Sequence, residues 1–269
     1  MAATTLAIAN QKGGVAKTTS TQTLGLALAD RGRRVLLVDL DPQGCLTFAL
    51  GLDPEACDPT LHDVMLGRVK AADAVYPLDR LDLVPTNIEL AGSEVQLMAR
   101  TGREHVLARA LHPIRANYDV ILIDCPPSLG VLTVNGLTAA DEVLIPLQCE
   151  TLSHRGVAQL LDTIDDVREF TNPRLRVRGV IATMYDPRVK HARDVLGDIR
   201  TRFGLEILEP PVPRTIRFAE APGQGVSILE HAPASAGAQA YRALAEQLCA
   251  DAPEARPPEA ASPGAKGAM

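Results

Sequence analysis

The stretch Lys12-Gly13-Gly14-Val15-Ala16-Lys17-Thr18-Thr19, directly after the apolar run Leu6-Ala7-Ile8-Ala9, constrains this chain more than any other. It reads as a strand, a glycine-rich turn and a helix start, the setting of a phosphate-binding loop. In that setting successive backbone N–H groups converge on one point, and the following helix aims its positive dipole end at it. Lys17 is expected to reach the β- and γ-phosphates of a nucleotide, and the Thr18 hydroxyl to sit on Mg²⁺. The ordinary pattern has Gly, four residues, then Gly-Lys-Ser/Thr; here Gln11 and Ala16 occupy the two glycine positions. What remains is a variant with a second lysine, Lys12, at the loop entrance. One lysine suffices for the loop's own nucleotide, so a second at the rim can reach outward, to a nucleotide held by another subunit. The plain alternative is a Gly-Gly turn with surface lysines, and it leaves the next two signals unexplained.

The first of these is Arg34-Val-Leu-Leu-Val-Asp39-Leu-Asp41-Pro42-Gln43-Gly44. A hydrophobic run bounded by Pro and Gly suits a buried parallel strand. Asp39 and Asp41 lie at its C-terminal end, where open α/β sheets bind ligands. Residues two apart on a strand share a face, so both carboxylates are expected to point at the phosphate pocket. Phosphoryl transfer to water needs a group that positions the nucleophile, and Asp41 is the candidate. For Asp39, a carboxylate that caps the strand end or supports a metal-bound water stands beside a direct role. The second signal is Tyr118-Asp-Val-Ile-Leu-Ile-Asp124-Cys-Pro-Pro127. It reads as a Walker-B-type strand whose acid, Asp124, holds Mg²⁺ or its water shell.

With these three blocks the chain resembles the ParA/MinD family of deviant-Walker ATPases, and within it the ParA/Soj partition proteins that lack an N-terminal DNA-binding extension. Further matching blocks are Ile145-Pro-Leu-Gln-Cys-Glu150, Thr183-Met-Tyr-Asp-Pro-Arg188 and Pro213-Arg-Thr-Ile-Arg-Phe-Ala-Glu-Ala-Pro222, so the likeness runs from about residue 4 to residue 249. It implies a single-domain α/β P-loop fold with a mainly parallel twisted sheet and helices on both faces. It implies ATP and Mg²⁺ as cofactors, with Gly13 to Thr19 around the phosphates and Lys12 acting across an ATP-sandwiched homodimer. Lys17 and Thr18 become phosphate and Mg²⁺ ligands, Asp41 the hydrolysis residue and Asp124 the second metal-side acid. Adenine contacts fall near Met184 and at Pro213, Arg214 and Thr215. The chain departs from the family at Ala16, Cys45, Thr215 and the segment Thr151 to Gly156.

Strand-like runs recur near Leu6, Val35, Leu81, Val120, Val143, Val177 and Ile207, separated by helix-length alanine-rich segments. That alternation predicts a mainly parallel sheet covered on both faces. Residues 1–250 are expected to form the ATPase domain, and 251–269, rich in Pro, Ala and Gly, a disordered tail. Five cysteines, an odd number, with no secretory signal point to a reducing cytoplasm. Cys125 and Cys149 each follow a strand and read as small buried hydrophobes, with iron–sulfur ligation as the rival. No apolar run approaches the eighteen or so residues that span a bilayer.

The net charge of −6 speaks against nucleic acid as a partner for the whole surface. Between Arg168 and Arg217, however, eleven basic residues face six acidic ones, an excess of five. A basic patch on an acidic protein can bind phosphates while the rest repels them; a solvated charged face is the alternative. The resemblance favours DNA, because partition ATPases bind double-stranded DNA non-specifically through this region, and Arg188, Lys190, Arg193 and Arg217 are the expected contacts. It also implies a ParB/Spo0J-like partner bound to centromere sites, and a cytoplasmic, nucleoid-associated location. A MinD-like membrane ATPase is disfavoured, since the tail after Asp251 has four prolines and no Leu, Ile, Phe or Trp. A relative that positions flagellar, chemotaxis or microcompartment cargo, and a metabolic P-loop ligase, remain as other classes.

Overall fold

The computed structural model describes residues 3–150, 153–221 and 225–250. Its strands are β1 (Thr4–Ile8), β2 (Val35–Asp39), β3 (Tyr76–Pro77), β4 (Asp82–Val84), β5 (Val120–Asp124), β6 (Glu142–Gln148), β7 (Arg176–Thr183) and β8 (Ile207–Leu208). They form one sheet in the order β3-β4-β2-β5-β1-β6-β7-β8, parallel throughout except for the β3–β4 pair. All seven expected strand runs are present. The eighth strand, β3, is a two-residue edge piece ending in Pro77, a residue that cannot donate to a ladder.

The helices are α1 (Lys17–Ala29), α2 (Cys45–Ala49), α3 (Leu61–Leu66), α4 (Leu90–Met98), α5 (Val106–Leu111) and α6 (Val131–Ala139). There follow α7 (Ser153–Phe170), α8 (Lys190–Phe203), α9 (Arg217–Glu220), α10 (Ile228–His231) and α11 (Ala236–Ala250). None among the described residues is long and apolar enough to cross a membrane. The expected tail, 251–269, lies outside the described residues.

Because side chains alternate across a strand, each strand feeds two cores. Leu6, Ile8, Val35, Leu37, Val120, Leu122 and Leu144 pack with residues of α1, α10 and α11 on one face. Ala7, Leu36, Val38, Ile121, Ile123, Val143 and Ile145 pack with α3 to α8 on the other. The outer helices show the one-sided spacing this requires: α7 buries Val157, Leu160, Ile164 and Val167, and α8 buries Ala192, Val195 and Ile199. α1 has no such sidedness, because it is buried along most of its length between the sheet and α11. β1 and its two neighbours, β5 and β6, thus sit at the centre, and the loop after β1 opens at the C-terminal end of the sheet, where open α/β sheets bind ligands.

Cys125 is fully buried, as expected. Cys149 is only half-buried, packed against the edge of the larger core, and burial lifts its thiol to about 11. Leu122→Ala, in the strand that both layers cover, should lose about 2–5 kcal/mol, read as a lower urea midpoint at unchanged m-value. Phe170→Ser, at a side chain 72% exposed, should shift stability by no more than about 0.5 kcal/mol.

Candidate nucleotide site

The loop between β1 and α1 is pinned from both sides. Asn10 Nδ2 donates to the Pro146 carbonyl of β6 at 2.7 Å, while its Oδ1 accepts from the Lys12 amide at 3.0 Å. Farther along, Thr183 Oγ1 at the end of β7 donates to the Val15 carbonyl at 3.0 Å. Between these ties Gly14 has φ 73° and Ala16 φ 67°. An alanine in the left-handed region costs roughly 1–2 kcal/mol, and the surrounding bonds hold it there. A Cβ at Gly13 or Gly14 would meet nothing within 4 Å, so both glycines turn their bare backbone to open space. Val15 differs: its side chain is buried, which leaves only its backbone N–H for a ligand.

Behind the loop lies a polar cluster. Thr18 Oγ1 donates to Asp124 Oδ2 at 2.6 Å, and Thr21 Oγ1 lies 3.3 Å from Asp124 Oδ1. Lys17 is buried beside them, its Nζ donating to the Lys12 carbonyl at 3.2 Å. Burial lowers the lysine's pKa, while the charges of Asp124 and Asp41 act to raise it. Asp124 is fully buried and its carboxyl is pushed up to about 7, by burial first; the Thr18 bond and Lys17 oppose this and Asp41 adds to it.

Asp39 stands opposite Asp124 in the β2–β5 register. It too is fully buried and is raised to about 8, by burial and then by the charge of Asp124. The expectation that Asp39 and Asp41 both face the phosphate pocket is not met. β2 stops at Asp39, so Asp41 is in a turn. Asp39 spends Oδ2 on the Thr47 amide (2.8 Å) and hydroxyl (2.7 Å) at the start of α2, and Oδ1 accepts from the Asp41 amide at 3.3 Å. It caps, and Asp41 faces the cavity.

That cavity, about 910 Å³, is bordered by Gly13, Gly14, Ala16, Lys17, Thr18, Thr19 and Asp41, and across from them by Met184, Pro213, Arg214 and Thr215. Asp124 stands behind Thr18 and is not on its wall. Sequence reasoning missed an apolar collar made of Phe48, Ile216, Phe218 and Tyr241. Tyr241 holds Ser20 of α1 (2.7 Å between oxygens) and meets Phe218 edge-on, with centroids 5.8 Å apart. These side chains come from three separate helices and the turn before α9, and no local motif marks them.

Lys12 lies outside the cavity wall and forms an ion pair with Glu150, just beyond β6. Of the four expected DNA contacts, Arg188 grips Asp186 through two bonds of 3.0 and 2.8 Å, and Arg217 pairs with Glu220 at 2.9 Å. Arg193 is tied to the Pro187 carbonyl, and Lys190 is exposed at the start of α8.

Among the described residues no three His, Cys, Asp or Glu gather closely enough to hold a metal alone. That suits Mg²⁺, which keeps several waters and takes one or two protein ligands alongside phosphate oxygens. The Thr18 hydroxyl, its proton given to Asp124, leaves its lone pairs for such an ion.

The sequence model of a family described as an AAA domain matches residues 3–177. The chromosome partitioning protein ParA of Caulobacter vibrioides is 47% identical over 247 residues, which cover 90% of this chain and 92% of that protein. The sporulation initiation inhibitor protein Soj of Bacillus subtilis is 42% identical, covering 91% and 98%. The chain belongs to the ParA/MinD family of deviant-Walker P-loop ATPases. A solved structure with the same fold, from Mycobacterium smegmatis, carries the name cobyrinic acid a,c-diamide synthase and holds an ATP analogue and magnesium. It is 52% identical with a TM-score of 0.82, over 92% of this chain and 94% of that one.

In this ParA/MinD-family chain the two central carboxyls fix a pH response. Asp39 and Asp124 hold protons in the folded state up to about pH 8 and 7, whereas in the unfolded chain they lose them near 3.8. The native state therefore binds more protons across that window, and their contribution to stability falls as pH rises from about 4 to 8. Asp119, Asp186 and Glu220 shift the other way and act at lower pH. Asp39→Asn should flatten the decline in Tm between pH 5 and 8, measured calorimetrically without nucleotide. An unchanged slope would show that Asp39 ionises freely.

Proposed function

We propose that this chain is an ATP-operated DNA-binding switch for chromosome or plasmid partition, a slow ATPase under the control of a ParB-like partner. The observation that carries this reading is the division between its two loop lysines. Lys17 is buried among the carboxyls beneath the loop; Lys12 lies outside, held by an exposed ion pair to Glu150. Such a pair is worth about 0–1 kcal/mol, so a phosphate presented by a second subunit can displace it. A lysine so placed serves its own nucleotide poorly and a facing one well.

In this mechanism the Gly13–Thr19 backbone and Lys17 hold the phosphates, and Thr18 with Asp124 would hold Mg²⁺. Mg²⁺, when bound, neutralises charge on the β- and γ-oxygens. Asp41, on the cavity wall, orients the attacking water. Lys12 stabilises the charge that develops on the partner's γ-phosphate, a role worth about 10³–10⁵ in rate for arginine fingers. Adenine lies between the collar and the Met184 and Pro213–Thr215 segments. Only the ATP dimer joins the basic residues of two subunits into one surface for non-specific double-stranded DNA, which makes hydrolysis the release step. The names of the ParA and Soj relatives support partition. The name of the Mycobacterium smegmatis structure supports a second reading, ATP-dependent amide synthesis.

Fluorescence anisotropy on a non-specific duplex separates them. The switch requires tight binding with ATP and little with ADP; an amide synthase gives none. If Arg188, Lys190, Arg193 and Arg217 each neutralise a phosphate, the log–log salt slope should be near −3.6, and a slope near zero would remove the patch. Asp41→Ala should hold the protein on DNA longer than the unaltered chain. Lys12→Ala should abolish hydrolysis, measured as phosphate release, while retaining nucleotide binding; normal turnover would refute the lysine's role in trans.

A further inference from the structure

A second cavity, about 350 Å³, lies at the opposite end of the sheet from the phosphate loop. The Leu61 amide at the start of α3 donates to the Pro85 carbonyl at 2.8 Å, just past the C-terminal end of β4, and the helix runs away from that end. The cavity opens at the far end of α3, beside Pro113 and Ile114, which lead towards the start of β5. It shares no lining residue with the nucleotide cavity. Its floor is apolar: Val64, Met65, Ala71 and Ile114 are buried, and Val106 and Ala110 are half-buried beside them.

Three exposed cations border this floor, Lys70, Arg100 and Arg109, and no acid among the described residues does. The two arginines are steadied by carbonyls: Arg100 Nη1 donates to Met65 and Arg109 Nη2 to Gly102, each at 3.0 Å. Their heads lie against bare backbone, since a Cβ at Gly67 would stand 3.8 Å from Arg100 Nη2 and one at Gly102 3.4 Å from Arg109 Nη1. Among the described residues none of the three cations has a carboxylate partner, whereas Arg68 and Arg103, near them in the chain, pair with Asp63 and Glu104. A guanidinium carries five donors, so a single carbonyl bond leaves the rest for an anion.

We propose that this cavity binds a small amphipathic anion, an apolar body carrying one carboxylate or phosphate, with the body on the apolar floor and the head among Lys70, Arg100 and Arg109. The arginine fork suits both kinds of head. Small-molecule sites of about 300–1,000 Å³ combine a mostly apolar lining with a few placed polar groups, and this cavity stands near the lower end of that range, which selects a compact ligand. An inorganic anion would leave the floor wet, and a neutral apolar molecule would leave the cations unpaired. The inference does not depend on the partition reading, because the cavity is separate from the nucleotide.

The probes are octanoate and octyl phosphate, set against octanamide, which has the body without the charge, and inorganic phosphate, which has a head without the body. Isothermal titration calorimetry on the full chain should show one site for each amphipathic anion. Octanamide and inorganic phosphate should bind at least about tenfold more weakly. Both anions should raise Tm, and ATP should not displace them. Arg100→Gln with Arg109→Gln, at two exposed positions, should remove the preference for octanoate over octanamide while leaving Tm without ligand unchanged. Ala110→Phe should block both anions by filling the cavity, and if that variant fails to fold, the arginine pair still decides. Octanamide binding as tightly as octanoate, many equivalent sites, or affinity indifferent to the arginine pair overturns the site. Displacement of octanoate by ATP would place it in the nucleotide cavity and overturn the proposal too. If neither anion binds but phosphatidylglycerol vesicles or duplex DNA do, and the arginine pair weakens that binding, the cations serve a bilayer or a nucleic acid and the proposal is wrong.

Discussion

Two carboxyl groups buried side by side at the C-terminal ends of adjacent central strands set the terms for this site. A buried carboxyl is costly unless its oxygens are hydrogen-bonded, so Asp39 and Asp124 each need their own partners. They divide the surroundings between them. Asp124 takes the hydroxyls of Thr18 and Thr21 with the nearby charge of Lys17, which binds the loop helix to β5. Asp39 takes Thr47 and the Asp41 amide, which binds the start of α2 to β2. The phosphate loop and the Asp41 turn are thus anchored to the same end of the sheet by two different carboxyls. Asp41, relieved of any capping duty for α2, is left to face the cavity.

Backbone strain is concentrated at the same place. Ala16 and Met184 are the non-glycine residues at positive φ among those described, and they stand on opposite walls of one cavity. Strain of this kind persists where the surroundings over-determine it. For Ala16 the surroundings are the ties from Asn10 to β6 and from Thr183 to Val15. The missing glycine is replaced by neighbours that hold an alanine in the glycine's conformation.

The parts of this architecture that are local in sequence could be read from it. Gly13 to Thr19, the β2 run and the β5 run each carry their chemistry within ten residues, and the period of burial marks the strands. Asp39 departs from the sequence expectation, because the sequence does not say that β2 ends there or that α2 claims its carboxylate. β3 escaped notice since two residues, one of them Pro77, make no pattern. The collar was invisible for a different reason. Phe48, Phe218 and Tyr241 converge only after the sheet has folded, and each alone looks like an ordinary core or surface aromatic. Lys12 was visible as an extra charge, but its pairing with Glu150, across a sequence separation of 138 residues, was not.

Tyr241 gives the site an order in time. Its ring is part of the cavity wall and its hydroxyl steadies Ser20, yet it is made 221 residues after that serine. On the ribosome the phosphate loop therefore emerges long before the wall that completes its pocket. A product stopped before α11 keeps the loop and most of the wall, but lacks the ring that meets Phe218 and the hydroxyl that steadies Ser20.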